Sequence, residues 1–250
     1  MEGLFRSIGT YDFGFIGEGG TFGLRNLRIL KIPIYYFMMI LGISESARIA
    51  SRKRNDYGLT GRQMSIYLIS VVVFGIIGAL LMGMIQSGTF HFAGLSLFGA
   101  IYADCILMPL IAHFIIHDDK WKLMDYFIFI GMEVLIFTRM GCFFNGCCAA
   151  RRFVFHYHEV RLPAQLYEVI YLLLIMALLL FIEKKQKNHG YVFISFLGLY
   201  GFCRFFMEIL RNNPKNIGCF SLFQIFSLVS IFFSILLFFI RKRSRKIKNA

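Results

Sequence analysis

About seven runs of roughly 20 apolar residues, almost free of charge and joined by short polar connections, restrict the folding of this chain more than any other feature. A hydrocarbon slab of roughly 30 Å offers no water to backbone N–H and C=O groups, so a run of that length crosses it as a helix. The spacing predicts crossings at about residues 30–50, 64–85, 91–116, 123–138, 166–182, 191–210 and 220–240. The expected fold is all-α: a polytopic membrane helical bundle of about seven transmembrane helices, forming a single integral membrane domain over residues 1–250. Residues 1–28, containing GEGGTFGLRNLR, read as an interfacial segment, and 241–250, RKRSRKIKNA, as a basic cytoplasmic tail with affinity for anionic lipid. The first 26 residues are glycine-rich and lack the continuous apolar core of a cleavable signal.

The net charge of +13 would suit a nucleic-acid binder in a soluble protein. In a chain that is 58% hydrophobic it reports orientation and contact with membrane lipids instead, and no nucleic-acid partner is expected. The connections after crossings one, three and five, with the tail, carry fifteen Lys and Arg, which predicts a cytoplasmic C-terminus and an N-terminus outside. The opposite side still carries eleven: Arg6, Arg25, Arg28, Lys31, Arg139, Arg151, Arg152, Arg161, Arg204, Arg211 and Lys215. Seven of these lie in or beside residues 138–168 and the end of crossing six. Such a local violation of the topological rule is what positive charge retained to bind an anion produces.

Residues 138–168, TRMGCFFNGCCAARRFVFHYHEVRLPAQLYE, are the longest polar interruption between two apolar runs. An ordinary connecting loop with snorkelling arginines is the bland reading, and a site is the sharper one, because polar groups at membrane depth are functional by default. Arg139 closes crossing four, and Arg204 lies inside crossing six, so the two form a phosphate clamp if those helix ends are neighbours. Arg204 also stands four residues from Glu208 on one helix face, and a buried pair there is compatible with the clamp. Arg151 and Arg152 are expected at lipid headgroups. Glu168 and Glu208 can orient an arginine or accept a proton, with orientation the stronger reading for Glu208. Asp104 and Glu133 read as partners satisfied within their own helices, and His156 and His158 as solvated. Asn145 and Gln165 offer amide donors and acceptors. Gly141 and Gly146 suggest a close backbone approach or a re-entrant turn.

Cys142, Cys147 and Cys148 cluster without C-x-x-C spacing or a zinc-like histidine partner. They read as small packing residues, as half of a disulfide involving Cys219 on an oxidising face, or, third, as a nucleophile. G-x-G-x-x-G, the P-loop, H-E-x-x-H and G-x-S-x-G are absent, which removes nucleotide, zinc-protease and serine-hydrolase readings.

TRMGCFFNGCCAAR resembles the signature G-R-x-G-N-F-x-N-G-E-x-x-G-R of the prolipoprotein diacylglyceryl transferases, seven-helix bacterial inner-membrane enzymes. LPAQLYE is similar to the family's H-P-S-Q-L-Y-E, YGFCRFFMEILR to Y-G-x-x-R-F-x-x-E-x-x-R, and IPIYYFMMILG and GLSLFGAI match more weakly. The resemblance implies a multi-pass protein of the bacterial plasma membrane, with Arg139 and Arg204 as the essential arginines. It also implies that Tyr35, Asn145, Gly146, Gln165, Tyr167, Glu168 and Tyr200 hold substrate, and adds Glu208 beside the arginines. Cys142 stands where the family has asparagine, Cys147 where it has an acid, Ala150 where it has glycine, and Phe98 where it commonly has histidine.

The implied reaction moves diacylglycerol from phosphatidylglycerol to the lipobox cysteine thiol in the signal-peptide region of a prolipoprotein, releasing glycerol phosphate, with neither metal nor cofactor. The group that takes the thiol proton stays open between Glu208, His156 and a substrate phosphate oxygen. Three other classes compete: a silent relative that binds lipid or lipoprotein segments, a thiol-redox protein using Cys147 and Cys148, and a transporter using Asp104, Glu133 and Arg204.

Overall fold

The structure, a computed structural model, describes residues 28–29, 32–87, 97–113, 119–144, 150, 152–155, 158–161, 163–186, 188–211 and 218–248. Among them are seven helices, one for each expected crossing: α1 Ile34–Lys53, α2 Gly61–Ser87, α3 Leu97–Ile111, α4 Lys120–Phe144, α5 Ala164–Lys185, α6 Tyr191–Leu210 and α7 Leu222–Lys248. Five of them, α2 and α4 to α7, are long and apolar enough to span a membrane, and α3 is a shorter apolar helix. The chain is therefore a helical membrane protein.

The structure adds β structure that an all-α reading leaves out. Antiparallel hairpins join β1 Arg28–Ile29 to β2 Ile32–Pro33, and β3 Arg152–Phe155 to β4 His158–Arg161. The second lies within what the sequence presents as a loop, and its RFVF and HEVR segments carry the aromatic and β-branched residues that strands prefer. Helix α4 runs past the expected end at 138 to Phe144. Its polar residues do not stop it, because Thr138 Oγ1 donates to the Val134 carbonyl at 2.7 Å and Arg139 finds a carboxylate on another helix. Helix α7 likewise continues through most of the basic tail.

Helix starts follow ordinary capping chemistry. Thr60 and Gln63 form a reciprocal box before α2, with Thr60 N donating to Gln63 Oε1 at 2.9 Å and Gln63 N to Thr60 Oγ1 at 3.3 Å. Asp119 Oδ1 accepts Trp121 N at 3.1 Å before α4. Ser221 and Gln224 repeat the box before α7.

The chain divides into two compact units, one of residues 1–46, 131–187 and 194–250 and the other of 47–130 and 188–193, with the boundary inside α1, α4 and α6. In the second unit α2 and α3 approach through Gly78 and Gly99, where a Cβ on either glycine would overlap the other's backbone. Lipid is as apolar as leucine, so close van der Waals packing through small residues, not hydrophobic exclusion, holds such a pair. Asp104 on α3 is buried, with no hydrogen-bond partner at Oδ1, and its Oδ2 faces Gly75 of α2. Among the described residues Oδ1 has no partner within its own helix, and the side chain lies at the seam with α2. Tyr67 donates to the Leu123 carbonyl at 2.9 Å and Tyr126 to that of Ala50 at 3.0 Å, while buried Asp125 accepts Gly190 N at 2.5 Å and Phe193 N at 2.8 Å.

In the first unit, Gly42 of α1 fits against Phe137 of α4, and Gly141 of α4 against Tyr35 and Met38 of α1. Gly198 and Gly201 of α6 receive Ser227, Ser230 and Ser234 of α7, and Ser234 donates to the Ile194 carbonyl at 2.8 Å.

Candidate active site

Helical periodicity places Tyr200, Arg204 and Glu208 along one line of α6, at i, i+4 and i+8, with Arg211 just past its end. Tyr200, Arg204 and Glu208 are buried, Arg204 almost completely, and Arg211, just beyond the helix end, is largely buried. Charged side chains buried at the end of a membrane helix are too costly to stand alone, and Arg204 and Arg211 find their counterpart on α5.

Glu168, fully buried on α5, is the hub. Its Oε1 accepts from Arg204 Nη1 at 2.7 Å and from Arg211 Nη2 at 2.8 Å. Its Oε2 meets Arg139 Nε of α4 at 2.5 Å, as a contact of charges rather than an aligned hydrogen bond. Arg204 Nη2 in turn lies 3.2 Å from Glu208 Oε2. Among the described residues, three guanidinium groups and two carboxylates thus share one buried cluster, with one more guanidinium than carboxylate. Both guanidinium groups named in the sequence reading touch the same carboxylate, so the two helix ends are neighbours, and the Arg204–Glu208 pair coexists with that meeting.

Apolar surroundings raise the strength of these contacts. Ala150, Ala164 and Met207 form a small buried core with Tyr171 and Leu210 packed on it. Tyr200 stacks on Phe196 at 5.4 Å and faces the Tyr171 ring at 6.4 Å. In such surroundings a charge feels a lower effective dielectric than in water, so each Arg–Glu contact is stronger and each unmatched charge is costlier.

The other expected site residues divide. Gln165 is fully buried, one turn before Glu168 on the same face of α5. Tyr167, between them in sequence, is exposed, because two residues advance a helix by about 200° and carry it off that face. The three residues of the Q-x-Y-E segment therefore do not share one environment. Tyr35 is partly buried, against Gly141 at the α4 end that carries Arg139. Asn145 and Gly146, with Cys147, Cys148, Arg151 and His156, lie outside the described residues. Gly141 makes a close helix–helix approach and not a turn. Cys142 is buried on α4, Cys219 is exposed ahead of α7, and no disulfide joins the described cysteines.

Three participants escape a reading based on single residues. Arg211 reads as a charge at the outer end of a crossing, although its spacing of three from Glu208 and seven from Arg204 is a face signal. Tyr171 reads as one more aromatic in an apolar run. Ser221 reads as a cap, yet its hydroxyl also donates to Glu208 Oε1 at 3.1 Å.

A cluster of arginines supplied by α4 and by α6 with the residue that follows it, tied by one carboxylate of α5, suits an anion that arrives, reacts and leaves, since each guanidinium presents several N–H donors in a planar fork. Comparison with known proteins agrees with the motifs that carry it. The family model for prolipoprotein diacylglyceryl transferase matches residues 24–240. The phosphatidylglycerol–prolipoprotein diacylglyceryl transferase of Clostridium tetani is 25% identical over 239 residues, covering 84% of this chain and 93% of the relative. A second enzyme of that name, from Clostridium perfringens, is 25% identical over 240 residues, covering 85% and 92%. A third, from Dehalococcoides mccartyi, is 28% identical over 180 residues, covering 66% of each chain. The match runs through α4, α5 and α6, the helices that build the cluster, and the chain belongs to the prolipoprotein diacylglyceryl transferase family.

Proposed function

We propose that this protein transfers the diacylglyceryl group of phosphatidylglycerol to the lipobox cysteine thiol of prolipoproteins, and that the Arg139–Arg204 cluster binds the phosphate that departs. The observation that carries the reading is the meeting of the two arginines, from α4 and α6, on the two oxygens of Glu168. In the reaction the thiol sulfur forms a bond to the terminal glyceryl carbon while that carbon's bond to the phosphate ester oxygen breaks. Negative charge accumulates on the departing glycerol phosphate. Guanidinium groups already oriented and shielded from water stabilise that charge without reorganising, which is where catalysis by preorganised electrostatics is strongest.

Glu168 and Glu208 hold the guanidinium groups in place. Glu208 is committed to Arg204 and to the Ser221 hydroxyl, which favours the departing phosphate oxygen as acceptor of the thiol proton. Tyr35, Gln165 and Tyr200 bind the donor headgroup, a role supported by the burial of Gln165 one turn from Glu168, the burial of Tyr200 one turn from Arg204, and the contact of Tyr35 with Gly141 of α4. Asn145 and Gly146, which follow Arg139 in sequence, bind the same substrate, and Tyr167 contacts the acyl or peptide portion from its exposed face. All seven helices cross the bacterial inner membrane, with the N-terminus outside and the C-terminus cytoplasmic. That arrangement sets the ends bearing Arg139, Glu168 and Arg204 at the outer leaflet, where lipid donor and secreted acceptor meet.

The test is mass spectrometry of a reporter lipoprotein made in cells with this protein as the sole transferase. A diacylglyceryl thioether on the acceptor cysteine is expected. An unmodified cysteine despite good membrane expression would overturn the proposal and leave a lipid-binding relative.

A further inference from the structure

The first turn of α7 reaches the arginine cluster in a way that capping a helix does not require. Ser221 is buried, whereas most of α7 is not. Its Oγ accepts Gln224 N at 3.2 Å, while its own N donates to Gln224 Oε1 at 3.0 Å. A carboxylate only accepts, so the hydroxyl proton points to Glu208 Oε1, 3.1 Å away. The cap bond therefore orients the hydroxyl, and the hydroxyl in turn fixes one oxygen of Glu208 while the other pairs with Arg204 at 3.2 Å. Phe223, two residues on, lies with its ring centre 5.9 Å from Arg204 Cζ. The register of α7 against α6 is set further along by Ser227, Ser230 and Ser234 in the Gly198 and Gly201 notches.

We propose that Ser221 is a positioning residue for the transfer reaction, aligning the Arg204 guanidinium by holding the Glu208 carboxylate. The proposal rests on the functional reading above. Glu208 pairs with Arg204 through one oxygen and accepts from Ser221 at the other, and a carboxylate that loses the Ser221 bond is held less firmly in the orientation that faces Arg204. Arg204 would then present its fork to the leaving phosphate in several orientations. The loss falls on the transition state more than on lipid binding, because Arg139, Glu168 and Arg211 stay in place.

The experiment uses purified full-length protein in vesicles of phosphatidylglycerol, with an acceptor peptide carrying the lipobox cysteine. Ser221→Ala is expected to lower kcat roughly tenfold or more, the order of one lost hydrogen bond to a charged group, with KM for the lipid within about threefold. Ser221→Thr restores most of the rate, since it keeps the hydroxyl. Gln224→Ala, which opens the capping box and leaves the hydroxyl, lowers the thermal midpoint and keeps kcat within about threefold. A wild-type kcat in Ser221→Ala, or a loss in Gln224→Ala as large as that in Ser221→Ala, would overturn the proposal.

A wild-type protein that makes no thioether product overturns the functional reading instead. The Ser221–Glu208 link is then read from thermal unfolding in detergent, in a double-mutant cycle. Ser221→Ala should lower the midpoint about twice as much with Glu208 as with Glu208→Gln, because bonds to a charged acceptor are about twice as strong. Equal shifts in the two backgrounds would remove the link.

Discussion

In the proposed reaction Arg139 and Arg204 bind the departing phosphate, and at the scale of single residues their environment predicts that neither is exchangeable. Each contributes one nitrogen to Glu168, and Arg204 a second to Glu208, so both planes are fixed before a substrate arrives. Replacing either by alanine should lower kcat by about 10²–10³ or more, the range for removing one preorganised donor to a developing anion, as measured by thioether formation on an acceptor peptide. Arg204→Lys should recover little of that rate. An ammonium is a point donor on a flexible stem and cannot bridge Glu168 and Glu208 as a planar fork does. Glu168→Gln is a different kind of change, because it leaves three guanidinium groups around a neutral amide in a buried site. Breaking a buried ion pair from one side costs about 3–5 kcal/mol, so this variant should show a markedly lower unfolding midpoint in detergent along with lost transfer. Lost transfer with an unchanged midpoint would contradict the hub role. The arginines and carboxylates were legible as residue types out of place in an apolar chain. That Glu168 would be shared by three arginines was not, since those partners lie 29, 36 and 43 positions away in sequence.

At the scale of elements, packing by small residues and helix capping substitute for the hydrophobic drive that lipid does not supply. Gly201 shows the cost of error. A Cβ there would lie 2.9 Å from the Ser227 carbonyl oxygen and 3.2 Å from Ser230 Cβ, with backbone on one side that cannot yield. Gly201→Val should therefore push α7 off α6, destabilise by about 1–3 kcal/mol and weaken transfer, because Ser221 moves with α7. The start of α6 depends on Asp125, which accepts two backbone N–H groups from 65 and 68 residues away in sequence. Asp125→Ala orphans both donors and should cost about 2 kcal/mol by thermal unfolding, as lost caps and buried unsatisfied donors do. The helices themselves were visible as apolar runs, and capping boxes at Thr60 and Ser221 follow a readable local pattern. The β3–β4 hairpin and the extension of α4 to Phe144 were not, because a polar residue ends a membrane helix only if it finds no partner. Whether it does is settled by other elements.

For the whole molecule, the proposal that each of the seven described helices crosses the membrane implies that they alternate in direction, which assigns the starts of α1, α5 and α7 and the ends of α4 and α6 to one membrane face. The proposed orientation puts that face outside, where Cys219 stands exposed just before α7. A membrane-impermeant maleimide should label Cys219 in intact cells, and Cys219→Ser should remove that label without affecting transfer. Labelling of Cys219 only after the membrane is opened would reverse the topology. The approximate places of the described helices, the membrane as their solvent and the identity of the charged residues were determined by the sequence alone. Hydropathy and residue type act locally, and no fold allows an arginine in an apolar run to go unpaired cheaply. Which carboxylate pairs with which guanidinium, which of Gln165, Tyr167 and Glu168 faces inward, and how a capping serine comes to touch the site were decided only by tertiary structure. Those outcomes depend on helix phase and on the close approach of glycine and serine seams, and both are properties of helices in pairs.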